Sequence, residues 1–359
     1  MQKKRRRSRR NRKRRQIIIL FLEIFVMVLL FVVLFVVYKL DKADTGNKTS
    51  VVKAKVNEEV EEQLETIEED EWKMDGYTNI ALFGVDSRDS NLDKGARSDT
   101  IMVASLNNTT GEVKLCSIFR DTYCNIGNDT YNKANSAYAA GGPDQAVQML
   151  NTNLDMDIEQ YVTVNFWALI DIINDVGGVE IDVTEEEIHF LNDYQTTMSE
   201  ESGRKMTKVK KPGLQTLDGM QAVAYCRIRY TKGDDFKRAE RQRLVLTQVA
   251  NKARSASVEE LNAIIDDVLP EIKTSFSKAE LVEYAAKAAT YSIAEQSGFP
   301  FERVTGAMGK AGSAVVAEDF AQNVKEFHEF LFGDSEYTPS QAVQNISSKI
   351  AADRQKNGL

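Results

Sequence analysis

The residues best suited to chemistry in this chain are aspartates and arginines at the ends of short apolar runs. The set is Asp86, Arg88, Arg97, Asp99 and Arg120. Carboxylate oxygens are ligands that Mg²⁺ accepts, with water or phosphate completing its shell, and guanidinium forks match phosphate oxygens. The pattern predicts a phosphate site with a divalent cation, Mg²⁺ or Mn²⁺, held by Asp86 and Asp99. The alternative is that these charges form surface ion pairs at loop ends.

Three apolar runs must position these side chains. They are Asn79–Val85, Ile101–Leu106 and Val113–Phe119, each short and bounded by Gly, Asn or Asp. Such runs, rich in β-branched residues, predict buried strands. The charged residues then fall at strand ends and in the loops between them, where open α/β sheets place their sites.

A second polar set lies further along the chain and consists of Arg227, Arg229, Arg238 and Gln242. If the chain is extended at Arg227 and Arg229, the two guanidiniums share one face. If the next segment is helical, Arg238 and Gln242 stack one turn apart. The set predicts a second basic wall for an anionic group, and the alternative is that these arginines pair with the acids nearby.

Predicted helices and strands alternate along the chain between the two charged sets. The patterns predict helices at Asp144–Leu154 and Trp167–Asp175 and strands at Tyr161–Phe166 and Val179–Val183. This alternation favours an α/β fold in which a mixed central sheet carries helices on both faces, a layered α-β-α arrangement. The charged stretch 184–211 has no clear period and is interpreted as a mobile insertion or lid.

The N-terminal segment predicts a membrane anchor. Eleven of the thirteen residues in 3–15 are Lys or Arg, and Glu23 is the only charge between Ile17 and Tyr38. An apolar run of this length can cross a bilayer, and the basic flank places its N-terminal side in the cytoplasm. We therefore predict a cytoplasmic tail at 1–15, a single transmembrane helix at 16–38 and an extracellular remainder. A nucleic-acid arm and a cleaved signal peptide are the alternatives.

The remainder is acidic. The chain of 359 residues has 46 Lys and Arg against 54 Asp and Glu, and eleven of the basic residues lie in the tail. This balance argues against nucleic acid as the partner of the outer domain. Acids are concentrated in 58–71, so 39–74 is interpreted as a juxtamembrane linker, 75–333 as one catalytic domain and 334–359 as a polar tail. The tail is predicted to be flexible, with a helix possible over 341–351.

Other catalytic chemistries find little support. The three cysteines Cys116, Cys124 and Cys226 match no zinc spacing and cannot form a complete disulfide framework. Neither His189 nor His328 lies beside a candidate nucleophile. Serine-histidine and cysteine-histidine catalysis are therefore disfavoured.

The charged sets stand within motifs that resemble the LytR-CpsA-Psr family of Gram-positive cell envelopes. The motifs run in order over about 78–252. They are Leu82-Phe83-Gly84-Val85-Asp86-Ser87-Arg88, Arg97-Ser98-Asp99-Thr100, Ser117-Ile118-Phe119-Arg120-Asp121-Thr122, Lys133-Ala134-Asn135, Asn165-Phe166, Gly177-Gly178-Val179, Leu217-Asp218-Gly219, Arg227-Ile228-Arg229 and Asp235-Phe236 with Arg238, Arg241 and Gln242. One departure is Phe119, because family members usually carry Pro before the Arg-Asp pair.

The resemblance implies a phosphotransferase that moves an anionic glycopolymer, such as wall teichoic acid or capsule, from a polyprenyl-diphosphate carrier to peptidoglycan. It implies that Asp86 and Asp99 hold Mg²⁺, and that Asp121 accepts a proton from the attacking hydroxyl or orients it. Phosphate oxygens would be bound by Arg88, Arg97, Arg120, Arg227, Arg229, Arg238 and Gln242, with Arg120 and Asp121 as the catalytic pair. The expected partners are the lipid-linked glycopolymer, peptidoglycan and membrane lipid, without nucleic acid.

Two other functions fit parts of the same pattern. The cation and arginines could cleave a polyprenyl diphosphate with water, which would make the protein a hydrolase. A membrane-tethered regulator of the envelope or of transcription would need a cytoplasmic binding module, and a basic segment of fifteen residues cannot fold into one.

Overall fold

The computed structural model describes residues 44–45, 57, 74–87, 92–229, 234–255, 272–276, 280, 284 and 288–359. The chain divides into two units, 1–43 and 44–359. The predicted basic tail 1–15 and anchor 16–38 lie outside the described residues, as does most of the predicted linker 39–74. Within the described ranges, no helix combines the length and apolar character needed to cross a membrane.

The elements follow one another as strands and helices of mixed length. The strands are β1 (Asp44–Thr45), β2 (Tyr77–Val85), β3 (Ser98–Asn107), β4 (Glu112–Ile118), β5 (Tyr123–Asn125), β6 (Tyr131–Lys133), β7 (Gln160–Asn165), β8 (Val179–Val183), β9 (Gly213–Leu217), β10 (Ile272–Thr274), β11 (Ser292–Phe299), β12 (Arg303–Ala307) and β13 (Ser313–Ala317). The helices are α1 (Asn135–Leu154), α2 (Phe166–Asp175), α3 (Glu185–Ser202), α4 (Gly219–Arg227), α5 (Asp234–Ser255), α6 (Phe320–Phe332) and α7 (Gln341–Asn357).

A mixed sheet forms the centre of the fold. Its order is β1-β10-β7-β2-β3-β4-β11. β2 runs antiparallel to β3 and parallel to β7, β3 runs antiparallel to β4, and β11 runs parallel to β4. Three further two-stranded sheets join β5 to β6, β8 to β9 and β12 to β13. The predicted α/β class with a mixed central sheet is confirmed.

Alternating burial explains why the predicted strands form. Ala81, Phe83 and Val85 of β2 are buried, while Ile80 and Leu82 between them are half-buried. Side chains two apart lie on the same face of a strand, so β2 has one fully covered face. The three strands predicted around the first charged set are confirmed, with ends that shift by a few residues.

Helices contact both faces of the sheet at β4. Cys116 and Ile118 belong to the main core, which also contains buried residues of α1, α6 and α7. Ser117 lies between them and therefore faces the other way, where its Oγ accepts a 2.8 Å hydrogen bond from Arg243 of α5. All three cysteines are buried and free.

A second core lies beside the central sheet and contradicts the predicted mobile lid at 184–211. Buried residues of α2, α3, α4, β8 and β9 pack together there, including Leu191 and Met198 of α3. Thr184 and Glu187 form a capping box at the start of α3, which satisfies exposed backbone N–H groups at the helix start. Most charges of 185–202 occupy the solvent face of this ordered helix.

The C-terminal segment is also ordered, so the flexible-tail interpretation is wrong. α7 extends over Gln341–Asn357 and buries Val343, Ile346 and Ile350 in the main core. Its N-terminus is fixed by Asp155, which accepts hydrogen bonds from the Ser340 hydroxyl at 2.6 Å and the Ser340 N–H at 2.8 Å.

Candidate phosphate site

The site is built around Asp99, which lies in a bulge at the start of β3. Gly84 pairs with Thr100 and Val85 with Ser98, so the register shifts and Asp99 is the extra residue. A bulge re-aims a side chain relative to the regular pleat. The half-buried Asp99 carboxylate accepts a 2.7 Å hydrogen bond from Arg120 Nη1 and lies 3.3 Å from Arg229 Nη2.

Arg120 is held by the turn that follows β4. The Thr122 N–H donates to the Phe119 carbonyl at 2.8 Å, and the Asn135 N–H donates to the Arg120 carbonyl at 3.0 Å. The chain has Phe119 where proline was expected, and its N–H donates to the Phe299 carbonyl at 3.0 Å. Proline has no N–H, so this residue ties the turn to the neighbouring strand in a way that proline cannot.

The first turns of α5 supply the other wall of the site. Arg238 is 3% exposed, and its Nη2 donates to the Asp99 backbone carbonyl at 3.3 Å. Asp235, one turn earlier, lies 3.1 Å from Arg238 Nη1 and 3.6 Å from Arg120 Nε. This segment is helical, and α5 brings Arg238 to the start of β3.

The ionisation of the cluster follows from burial and from its opposite charges. Burial alone would raise the pKa of Asp99, but Arg120, Arg238 and Arg229 together hold that pKa below its ordinary value. Burial opposes the charge of Arg120, yet Asp99 and Asp235 raise its pKa. Burial lowers the pKa of Arg238 to about 10 in spite of Asp235. Asp99, Arg120 and Arg238 are therefore all charged at neutral pH.

Several donors of this cluster make no hydrogen bond, although Arg238 Nη1 and Arg120 Nε lie within ion-pair distance of Asp235. Arg120 Nε and Arg238 Nε and Nη1 are buried and have no hydrogen-bond partner among the described residues. A buried donor without an acceptor costs about 1–3 kcal/mol, and more when it is charged. Guanidinium N–H groups held in this state are suited to an incoming anion with several oxygens, such as a phosphate.

Asp121 lies between two cations beside the same turn. Its Oδ1 is 3.2 Å from Lys133 Nζ, and its Oδ2 is 3.8 Å from Arg120 Nε. Lys133 ends β6, which pairs with β5 directly after the Arg-Asp turn. The predicted catalytic pair Arg120 and Asp121 therefore lies next to Asp99, and Lys133 joins it.

Comparison with known proteins decides the family. The LytR_cpsA_psr family profile matches residues 34–326. This chain belongs to the LytR-CpsA-Psr family. One relative is TagU of Enterococcus faecalis, a polyisoprenyl-teichoic acid–peptidoglycan teichoic acid transferase, which is 31% identical over 239 residues, covering 64% of this chain and 73% of TagU.

Solved structures of relatives share the fold. The crystal structure of Bacillus subtilis TagV matches with a TM-score of 0.57 at 26% identity, over 73% of this chain and 98% of TagV. A structure of the LytR-CPS2A-psr family protein YwtF (TagT) with bound octaprenyl pyrophosphate lipid matches with a TM-score of 0.50 at 21% identity, over 80% of this chain and 93% of that one.

Other predicted site residues of this LytR-CpsA-Psr chain are not drawn into the cluster. Asp86 and Arg97 are exposed at the adjoining ends of β2 and β3, and Gln242 is half-buried on α5. None of the three makes an ion pair or hydrogen bond with another described residue. Arg88 lies outside the described residues, so its predicted role is not tested.

Arg227 differs from the expectation of an extended Arg-Ile-Arg segment. It is the last residue of α4 and does not belong to a strand. Its guanidinium lies 5.1 Å from the ring centroid of Phe166 and 5.5 Å from that of Tyr194. Rings held over a guanidinium stabilise its charge without neutralising it. Arg227 thus keeps a positive charge that no described carboxylate pairs with, two residues before Arg229.

Sequence reasoning gave no role to two residues that the structure places in the site. Asp235 contacts Arg120 and Arg238, and Lys133 contacts Asp121. Both stand inside the family motifs, so the motif positions were the available signal. The neighbouring Arg241 forms a buried pair with Glu187 at 2.8 Å, which joins α5 to α3.

The donor set fits a divalent cation only in part. Among the described residues, no three His, Cys, Asp or Glu side chains gather as a metal cage. Asp86 follows β2, and Asp99 lies at the start of β3. Because these two strands are adjacent and antiparallel, both residues lie at the same end of the sheet. Two carboxylates suit Mg²⁺, which commonly takes one or two from the protein and fills its shell with water and substrate phosphate.

Proposed function

We propose that this protein is a membrane-anchored phosphotransferase that moves an anionic glycopolymer from a polyprenyl-diphosphate carrier to peptidoglycan. The observation that carries the proposal is the convergence of Arg120, Arg229 and Arg238 on Asp99, with buried guanidinium N–H groups that make no hydrogen bond to another described residue. The reaction of the TagU relative supports the substrate class. Wall teichoic acid, capsule and similar wall polysaccharides all carry the required anionic chemistry.

The transfer makes and breaks one bond each. A hydroxyl oxygen of the wall glycan bonds to the phosphorus that carries the glycopolymer, and the bond from that phosphorus to the bridging oxygen breaks. The bridging oxygen leaves with the polyprenyl phosphate, and the product is a phosphodiester. Negative charge grows on the leaving phosphate, so fixed guanidiniums beside it lower the barrier.

The charged residues divide this task by position. Arg120, Arg229 and Arg238 would exchange their contacts with Asp99 and Asp235 for phosphate oxygens. Arg227 would add a charge held by aromatic rings at the edge of this group. Arg88, Arg97 and Gln242 extend the proposed diphosphate contacts.

Asp121 is the proposed group for the hydroxyl proton. Its Oδ1 faces Lys133, whereas its Oδ2 has only the longer 3.8 Å contact to Arg120 Nε. Oδ2 is therefore the oxygen available to accept or orient the proton. Lys133 would keep the carboxylate in place during the transfer.

Asp86 and Asp99 would hold the proposed Mg²⁺ or Mn²⁺. When bound, the cation would supply further charge neutralisation on the diphosphate. Asp99 already faces three arginines, so the anionic substrate must accompany the cation. This requirement predicts that cation and diphosphate bind together.

The proposed topology places residues 1–15 in the cytoplasm and crosses the membrane once at 16–38. The site would then lie outside the cell with the lipid-linked donor and the wall. The acidic character of the chain beyond the tail argues against nucleic acid as a partner. Peptidoglycan and membrane lipid are the proposed partners.

The test is a transfer assay with the full chain in detergent. A synthetic polyprenyl-diphosphate sugar and peptidoglycan oligomers are added with Mg²⁺ or with chelator, and the coupled product is measured by mass spectrometry. We expect metal-dependent attachment of sugar phosphate to the oligomer, and its loss in Arg120→Ala and Asp99→Ala. Arg204→Met is the matched control, because Arg204 pairs with Asp171 in the second core.

The other outcomes separate the alternatives. Release of lipid phosphate without a coupled product would show a hydrolase and contradict the transfer. A folded protein that neither binds nor cleaves the lipid would contradict both enzymatic functions and favour a tethered regulator.

A further inference from the structure

An aromatic cluster lies directly behind the phosphate site. The rings of Phe119 and Phe236 meet edge to face, with centroids 4.7 Å apart and planes at 76°. The Arg303 guanidinium lies in the corner between them, 4.8 Å from the Phe119 centroid and 4.2 Å from that of Phe236. Phe119 is 5% exposed. We call these three side chains the Phe119 cluster.

The Arg303 guanidinium is held in this cluster by backbone carbonyls and aromatic rings. Its Nη1 donates to the carbonyls of Pro300 at 2.8 Å and Phe301 at 2.7 Å. No described carboxylate forms an ion pair with it, and burial lowers its pKa. The two ring faces and the two carbonyls therefore hold the guanidinium in a fixed place.

Each ring stands next to a charged residue of the site. Phe119 directly precedes Arg120, and Phe236 directly follows Asp235 and is two residues before Arg238. The cluster therefore joins the turn after β4 to the first turn of α5. These are the two segments whose separation sets where the unpaired N–H groups of Arg120 and Arg238 point.

Resting on the proposed function, we propose that the Phe119 cluster positions Arg120 and Arg238 for the diphosphate and keeps their spacing when substrate binds. The ion pairs to Asp99 and Asp235 cannot do this, because an incoming phosphate competes for the same guanidinium atoms. The ring contacts involve no atom that a phosphate would take. Phe119, Phe236 and Arg303 are thus positioning residues that act through the arginines.

A glycine makes room for this arrangement. Gly298 lies on β11 beside β4 and pairs with Ser117. A Cβ at Gly298 would lie 2.6 Å from Phe119 Cζ, closer than any ordinary contact. Gly298→Ala must therefore displace the Phe119 ring without touching a charged residue. In Phe119→Leu the clashing Cζ is gone, so the added methyl has space.

The experiment measures binding of inorganic pyrophosphate to the full chain in detergent by calorimetry at 25 °C. We expect Phe119→Leu and Gly298→Ala each to weaken binding about fivefold, the size of a lost ring-and-cation contact. We expect Gly298→Ala to have no further effect in the Phe119→Leu background. Arg303→Lys should retain most of the affinity that Arg303→Met loses.

Controls separate positioning from folding. Melting temperatures show whether each variant is folded at 25 °C. Arg204 is the matched control, because its guanidinium also lies near a ring, 5.5 Å from that of Trp167 beside the second core. Arg204→Met should bind pyrophosphate like the parent. Parent-like affinity in Phe119→Leu and Gly298→Ala would overturn the inference. A full Gly298→Ala effect in the Leu background would also overturn it. If the parent chain binds no pyrophosphate, the proposed function fails and the inference falls with it.

Discussion

Replacing Arg238 with methionine should make the protein more stable and its site less functional. Burial lowers the pKa of Arg238 from its ordinary value to about 10. At about 1.36 kcal/mol per pKa unit, the charged form costs the fold roughly 3 kcal/mol. The pKa of Arg238 is lower in the folded protein than in the unfolded chain. This cost is therefore fully present below pH 10 and disappears only when the pH exceeds the pKa of the unfolded chain. The unpaired Nε and Nη1 atoms are consistent with it.

The gain in Arg238→Met is smaller than that cost. Asp235 loses one partner but keeps Arg120, and the Asp99 carbonyl loses a 3.3 Å hydrogen bond. These losses amount to roughly 1 kcal/mol, and methionine fills the space of the aliphatic stem. We expect a net increase of about 1–2 kcal/mol in the free energy of unfolding, which raises the melting temperature by about 2–6 °C.

The assay compares melting temperature and pyrophosphate affinity in the same samples. Loss of a charged donor set should weaken pyrophosphate binding at least tenfold, because hydrogen bonds to charged groups contribute about 1.5–3 kcal/mol. Arg243→Met is the matched control, since Arg243 is buried on the same helix and bonds to Ser117, outside the site. A methionine variant at 238 that is less stable and binds pyrophosphate like the parent would refute the reasoning.

Three further predictions follow from single observations. Asp99→Asn removes the negative charge between Arg120 and Arg229 and should lower the free energy of unfolding by about 2–3 kcal/mol. Pyrophosphate should raise the melting temperature of this variant more than that of the parent. An equal or smaller rise would contradict the prediction. Burial lowers the pKa of His328 from 6.5 to about 4, so its stabilising contribution is complete above pH 6.5 and is lost as the pH falls toward 4, at a cost of roughly 3 kcal/mol; urea titrations of His328→Gln should lack this slope. The three buried cysteine thiols, whose pKa values burial raises to about 12, should react with a thiol reagent only after denaturation, and rapid reaction of the native protein would contradict their burial.

The sequence predicted the strands around the site because their signal is local. β2, β3 and β4 are short apolar runs with turn residues at both ends, and β8 was predicted with its observed bounds, Val179–Val183. The start of β3 also carries Asp99 where the pattern placed it. Such strands need no tertiary information to be recognised.

One helix was missed although a signal was present, and another was given only as a possibility over 341–351. In α3, Thr184 and Glu187 form a capping box, and Leu191 and Met198 are seven residues apart on one face. In α7, Ser340 caps a helix whose buried residues recur at helical spacing. Charge density hid the pattern of α3, because a helix that covers a core on one side can carry charges on all its other faces.

The pairings within the site could not be read from the sequence. Asp235 and Asp99 are far apart in the chain, yet Arg120 contacts both. The bulge at Asp99 and the end of α4 at Arg227 decide where those side chains point, and both depend on packing between distant segments. Sequence identifies the charged residues of such a site but not their partners.

The most direct test of the central claim is a crystal structure with a short-chain polyprenyl diphosphate bound. We predict that phosphate oxygens lie within hydrogen-bond distance of Arg120 Nε and of Arg238 Nε and Nη1, the buried donors that have no partner among the described residues. A diphosphate bound elsewhere, with these donors still lacking an acceptor, would contradict the assignment of this cluster as the phosphate site.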